Sequence, residues 1–184
     1  MDRVRSSGNG GYGQSLIEVL IAVFIGILLF VAAASIIAPV LRSNTEVARM
    51  QTASSLAKQL MEHVVVFAGS DWHNVDGSPG SPLAISDSTS GVYNYYHLTT
   101  TTSPFELKSE EENLEVGTTT YKRYFYVENA YRRSSQDNNG DIDTSSNPLV
   151  NGSVLDPSTK KVTVLYSWAG SEPRSFTRYI TRTR

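Results

Sequence analysis

From Leu16 to Leu41 the chain runs for 26 residues with a single charged side chain, Glu18. A helix of about 20 apolar residues, rising about 1.5 Å each, crosses a bilayer. Past Pro39 the pattern changes. Val47, Met50, Ala53, Ala57, Leu60, Met61, Val64 and Phe67 recur at spacings of three and four. That is the period of a helix buried along one face. Arg42, Glu46, Arg49, Gln51, Lys58, Gln59 and Glu62 occupy much of the other side. No Gly/Ser-rich break separates the two patterns near residues 40–46. The sequence therefore predicts one helix from Gln14 to Ala68, roughly 80 Å long if continuous. Pro39 is its expected kink, and Gly69 its expected terminator.

The remainder, residues 69–184, is rich in Ser, Thr, Tyr, Asn and Gly and reads as one small β-rich domain. Asp76 to Ser90, with Gly77, Pro79, Gly80 and Pro82, reads as irregular. Gly91 to Thr102 is a strand candidate through Val92, Tyr93, Tyr95 and Tyr96. Glu110, Glu111 and Glu112 read as a solvated turn or loop. Tyr121 to Ala130 is a firmer strand. In Lys161 to Trp168, Val162, Val164, Tyr166 and Trp168 alternate onto one face. Ala169 to Arg174 reads as a reversal, and Ser175 to Thr183 as the last strand, antiparallel to its predecessor. The expectation is an antiparallel sheet of three to five strands packed on the exposed half of the long helix. No internal repeat is evident.

Glu18 is the anomaly in this pattern. A carboxylate in lipid costs about 2.5–3.5 kcal/mol on insertion scales, and such residues are commonly functional. A secretory signal would have an apolar core of about 7–15 residues before its small-residue cleavage site. Ala32, Ala33 and Ala34 imitate that site, but the core is too long and Glu18 interrupts its start. A plain anchor leaves the glutamate unexplained. A third reading is a segment held first in the membrane and later packed against other protein.

The motif Gly13-Gln14-Ser15-Leu16-Ile17-Glu18, followed by Val19-Leu20-Ile21-Ala22-Val23-Phe24, closely resembles the amino terminus of type IV prepilins and type II secretion pseudopilins. The resemblance implies a short basic leader, residues 1–13 with Arg3 and Arg5. It implies cleavage by a prepilin peptidase between Gly13 and Gln14, and N-methylation of Gln14. Glu18 then becomes the fifth mature residue, where the family places its glutamate. Two positions depart from the family pattern: Gln14 stands where phenylalanine or methionine is usual, and Tyr12 where a charge is common. The implied fold is α+β and lollipop-shaped. Residues 14–41 form the membrane or filament-core half of the helix, 42–68 its amphipathic half, and 69–184 the globular domain. A fainter resemblance covers Asp156 to Val164 with Ser167-Trp168, and Tyr121-Lys122-Arg123 before it. These look like the closing strands of minor pilins of the pilus-modification group. The implied function is a minor pilin that enters or primes a pilus or pseudopilus. The alternatives are a tip-displayed adhesin or DNA-uptake receptor, and a secretion pseudopilin. Implied partners are the peptidase, other pilins, the inner-membrane assembly platform and the lipid bilayer. The implied place is the inner membrane, amino terminus in the cytoplasm and domain outside, and then the assembled filament. Arg3 and Arg5 agree with that orientation.

Glu18 also has a role that needs no family name. Cleavage would create an α-amino group with an ordinary pKa of about 7.7–8.0. In a bundle of like helices, that amine can pair with Glu18 of a neighbour. One buried polar pair can fix the register of packed helices.

The remaining chemistry is sparse. The chain has no cysteine, so it cannot carry the disulfide of many pilins. Asp137, Asn139, Asp141 and Asp143 alternate around Gly140, and calcium takes six to eight such oxygens. The spacing differs from an EF-hand loop, and an Asn-Gly turn explains the same residues. His63, His73 and His97 lack ligand spacing. Arg174, Arg178, Arg182 and Arg184 lie among Phe176 and Tyr179, a composition that suits DNA. The formal charge of −2 opposes it, and guarded strand edges use the same residues. No Ser/His/Asp or paired-carboxylate arrangement can be argued, so no enzyme is expected.

Overall fold

The computed structural model describes residues 12–87, 89–99, 105–133, 140–145, 148 and 152–182. The chain divides into two units, Met1–Ala48 and Arg49–Arg184. Helix α1, Tyr12–Ser70, belongs to both. In the first unit every described side chain from Leu16 through Ala48 is exposed, and almost all of those up to Leu41 are apolar. This helix is long and apolar enough to cross a membrane. A helix suits that environment because it satisfies its backbone polar groups internally. Pro39 lies inside it without ending it. Its missing N–H frees only the Ser35 carbonyl.

In the second unit the helix buries the stripe the sequence predicts. Ala53, Ala57, Leu60, Met61 and Val64 are buried, and so is Phe67. Val47 is exposed and Met50 half-buried, so the packed stripe begins later than expected. The helix also passes through Gly69, which does not terminate it. The end comes at Ser70, whose hydroxyl bonds the Phe67 carbonyl at 2.8 Å. The Asn74 amide bonds the same carbonyl at 3.0 Å. These two donors satisfy a terminal carbonyl without a glycine cap. A short turn of helix follows, α2, His73–Asp76.

The stripe packs on a four-stranded antiparallel sheet in the order β3-β4-β5-β6. Its strands are β3 (Glu112–Val116), β4 (Thr119–Arg132), β5 (Val154–Trp168) and β6 (Arg174–Thr181). A separate pair, β1 (His97–Thr99) and β2 (Glu106–Lys108), forms a second small sheet. The architecture is α+β, as expected. Phe125 and Val127 of β4 pair in register with Val164 and Val162 of β5. All four are fully buried in one cluster with Leu60, Met61 and Val64. Ala53, Tyr121 and Trp168 form a second cluster. The predicted alternation in β5 is therefore present, with Tyr166 partly buried.

Several expectations are corrected. Glu112 is not in a solvated loop; it opens β3 and pairs with Arg123. Between Gly91 and Thr102, the described strand is only His97–Thr99, and residues 100–102 lie outside the described residues. Tyr96 instead makes an isolated bridge to Phe125. The last strand begins at Arg174 and ends at Thr181, with Thr183 outside the described residues. β5 starts seven residues before Lys161 because its register with β4 jumps between Asn129 and Ala130. Pro157 falls in that irregularity, where the missing N–H costs no ladder bond.

Two glycines are required by geometry. Gly117 turns β3 into β4 in a two-residue loop at φ 62, a region glycine enters without strain. At Gly77, with φ 71, a Cβ would lie 2.1 Å from Ile85 Cγ1.

One buried charge joins three elements. Arg123 is 3% exposed. Its Nε donates to Glu112 Oε2 of β3, and its Nη1 donates to the Leu56 carbonyl of α1 at 2.7 Å. The same nitrogen reaches Gln59 Oε1 at 3.1 Å. Removing one partner of such a pair strands the other in the core. Arg123→Met should lower the unfolding free energy by about 3 kcal/mol or more. Denaturant unfolding of the full chain in detergent, followed through Trp fluorescence, measures it. The double variant Arg123→Met/Glu112→Met should recover most of that loss, because no charge is left unpaired.

Candidate functional site

The amino-terminal motif lies in the first turns of α1. Tyr12, Gly13 and Gln14 are already helical. Glu18 is four residues beyond Gln14, one turn of helix and on the same face. It is exposed, and large apolar neighbours Leu16, Ile17, Val19, Leu20 and Ile21 are all at least half exposed. The geometry thus presents one carboxylate, one turn from the Gly13–Gln14 bond, within an apolar surface that continues to Leu41.

Asp137 and Asn139 of the expected oxygen cluster lie outside the described residues. Asp141 and Asp143 are described, and their segment is tied to the end of β4. Arg133 N donates to the Asp141 carbonyl at 3.0 Å, and Asp143 N donates to the Tyr131 carbonyl at 2.8 Å. Arg132 also reaches the Gly140 carbonyl at 2.8 Å. The two carboxylate oxygens of Asp143 have protein donors. Ser145 N bonds Oδ1 at 2.9 Å and the Ser153 hydroxyl bonds Oδ2 at 2.5 Å. These bonds, Ser153's foremost, hold the Asp143 carboxyl below the usual aspartate range. Among the described residues no three His, Asp or Glu side chains converge as a metal-binding group.

The carboxy-terminal arginines do not gather on one free face. Arg174 sits over the Trp168 ring, 5.5 Å from its centroid, with Nη1 2.9 Å from Met50 Sδ. Arg178 pairs with Glu62 of α1 at 2.9 Å. Both thus point toward the helix side of the sheet. The Arg182 backbone bonds Ser158, and Arg184 is outside the described residues.

The structure brings together Ser78, His73 and Asp76, which periodicity alone did not single out. Ser78 Oγ lies 2.9 Å from His73 Nδ1 and donates to Asp76 Oδ1 at 2.8 Å. Asp76 approaches that same Nδ1 at 3.4 Å. A nucleophile relay needs the serine on one ring nitrogen and the carboxylate on the other. Here the serine proton already goes to the aspartate, so the imidazole does not activate it. The cluster instead closes the turn after α2. His97 is likewise structural. It is buried, and its Nδ1 lies 2.9 Å from the Glu110 carbonyl. Since a carbonyl only accepts, Nδ1 carries the proton.

No protein-family model, curated protein or solved structure matches the chain.

His63 is a half-buried histidine whose surroundings oppose its protonation. It packs on the Phe105 ring at 5.3 Å, and its Nδ1 is buried without a hydrogen-bond partner among the described residues. Desolvation, then the Arg123 charge, push its pKa below the ordinary 6.5, and Glu112 opposes them. The folded chain therefore binds this proton more weakly than the unfolded chain does. The resulting stability is full above pH about 6.5 and is lost as pH falls through the lower folded value. Thermal melting of the full chain should show a falling Tm below that pH, and His63→Gln should flatten the slope.

Proposed function

We propose that the chain is a minor type IV pilin-like subunit, matured by a prepilin peptidase and built into, or priming, a pilus-type filament. The observation that carries this reading is the placement of Glu18. It is the only charge in the apolar run, five residues after Gly13, at the head of a helix whose following side chains are exposed on every side. An all-round apolar helix is unstable in water and needs lipid or other apolar helices around it. The bilayer supplies the first environment, and a bundle of like helices the second.

In the bilayer, Glu18 lies near one end of the span, where water and headgroups are within reach. In the bundle it loses that hydration and requires a cation. Cleavage after Gly13 supplies one, the α-amino group of Gln14. Within one helix that amine sits one turn from Glu18. Between helices, a stagger can bring one subunit's amine to another's carboxylate. The pair offsets the desolvation of both charges only in that register. Neutral slippage along an otherwise featureless apolar surface is thereby disfavoured. The Arg49–Arg184 unit would then be carried outside the membrane. Prepilin peptidase, the assembly platform and neighbouring pilins are the implied partners.

The test is mass spectrometry of the chain expressed with an active prepilin peptidase. The expected product begins at Gln14 and carries one added methyl group on its amine. Gly13→Val should leave the leader attached. Cleavage after Ala34, or an intact Met1 terminus beside a processed control prepilin, would overturn the reading. Glu18→Leu should be cleaved normally yet be lost from sheared filaments. Its recovery there at wild-type levels would remove the register role.

A further inference from the structure

The sheet face turned away from α1 is built differently from the one that packs on it. On β4, Phe125 and Val127 face the helix, so Tyr124, Tyr126 and Glu128 face outward. The pairing registers place three rows across this outer face. Tyr124 is opposite Leu165, which is opposite Ser175. Tyr126 is opposite Thr163, which is opposite Thr177. Glu128 is opposite Lys161, which is opposite Tyr179. The segment before β1 adds two further rings. Tyr95 meets Tyr124 edge to face at 4.9 Å, and Tyr93 meets Tyr126 at 4.9 Å. Tyr93 and Tyr95 are 38% and 40% exposed.

The third row runs into a cleft of about 710 Å³ lined by Glu128, Lys161, Thr177 and Tyr179, with Ser86 and Asp87 opposite. Ligand pockets commonly fall between about 300 and 1,000 Å³. Two of its polar groups are held rigidly. Glu128, 4% exposed, has Oε2 2.9 Å from Lys161 Nζ, and Ser86 is 2% exposed. Ser86 N bonds the Val127 carbonyl at 2.7 Å, and Ser86 Oγ accepts from Asn94 N at 2.9 Å. The cleft and the tyrosines share the outer face, since Thr177 both lines the cleft and ends the Tyr126–Thr163–Thr177 row.

We propose that this face and cleft bind a neutral oligosaccharide. Three features select that chemistry. The tyrosine rings fix one another edge to face, and so offer preset flat surfaces to the apolar C–H face of a sugar ring. The cleft supplies carboxylate acceptors, hydroxyls that both donate and accept, and a lysine donor, the complement of a ring of sugar hydroxyls. Among the described residues, its carboxylates Asp87, Glu128 and Asp143 outnumber its one cation, Lys161. That balance repels nucleic acid and other polyanions. A protein partner is the poorer fit, because interface cores are depleted of charge. Here the Glu128–Lys161 pair lines the cleft itself. The site lies wholly in the Arg49–Arg184 unit and does not depend on the anchoring role of Glu18.

The full chain, purified in a detergent without a sugar headgroup, can be titrated with maltohexaose, cellohexaose and chitohexaose. Oligothymidylate and heparin serve as anionic contrasts. Saturation-transfer NMR reports contact between sugar C–H groups and aromatic protons, and a titration gives the affinity. At least one neutral oligomer should bind saturably and receive saturation from the rings. Tyr95→Ala should weaken that binding by roughly tenfold, and Thr177→Glu, which crowds the cleft, should abolish it. Both variants should stay folded with only a small fall in Tm, since each loses a surface contact (the Tyr95 ring with Tyr124, the Thr177 hydroxyl with Thr163) and no core side chain. The proposal is overturned by absence of saturable binding to all three oligomers, or by binding of the anionic probes alone. Binding that both variants leave unchanged would place the sugar elsewhere and overturn it equally.

Discussion

An apolar surface that wraps a helix on every side sets the terms for this molecule. From Leu16 to Leu41 no face of α1 is reserved for water, and Glu18 is the one exception in charge. Each large side chain there, if left in water, forgoes about 1.5–3 kcal/mol of burial. No number of ion pairs at the carboxy-terminal end of the chain compensates for that. The segment must be surrounded, and helical backbone is what lets it be surrounded by lipid. The second half of the same helix obeys a different rule. Its stripe of Ala53, Ala57, Leu60, Met61 and Val64 is covered by the chain's own sheet.

Small residues make that cover close. Ala53 and Ala57 let the helix approach the sheet, while Leu60, Met61 and Val64 fill the space against Phe125, Val127, Val162 and Val164. Packing of this kind is not specific in direction, and Arg123 adds the direction. Its guanidinium can satisfy Glu112, the Leu56 carbonyl and Gln59 together at one placement of helix on sheet. The planar fork of arginine suits that task; a lysine would supply a charge without the geometry. The two arginines at the β6 end, Arg174 and Arg178, reach α1 from the opposite edge of the sheet. They are more exposed and contribute less.

What could be read from sequence follows from where periodicity is enforced. The helix was legible because both halves have a pattern: one unbroken apolar run, then a stripe at three-four spacing. β5 was legible from Lys161 because burial on one face forces alternation. Its earlier half was not legible from alternation, since the register with β4 jumps between Asn129 and Ala130; only the resemblance over Asp156 to Val164 reached into it. β3 was hidden for a related reason. Glu112, next to Glu110 and Glu111, read as loop chemistry, and the strand exists because β4 pairs with it through the Gly117 turn. Gly69 misled in the other direction: a helix continues through glycine when its end carbonyls find side-chain donors further on, here from Ser70 and Asn74. At the site, the Gly13-to-Glu18 spacing is wholly local and was legible as a motif. The outer tyrosine rows were not, because they join residues from 93 to 179 that only the strand registers make neighbours.

The two faces of the sheet then have opposite logic. The inner face is apolar and closed at its centre, with Arg123 setting its docking and Arg174 and Arg178 reaching the helix from the β6 edge. The outer face carries rings and hydroxyls in ordered rows, with a carboxylate–ammonium pair where aliphatic residues would pack more tightly. Glu128 and Lys161 sit directly opposite each other. Replacing a buried ion pair of this kind by aliphatic side chains is often neutral or stabilising. Stability therefore gives no reason to prefer the pair, nor to leave Tyr93 and Tyr95 well exposed beside it. A surface arranged to meet a ligand with both an apolar face and many hydroxyls gives a reason for both, and it lies in the unit that the apolar helix does not need for its own burial.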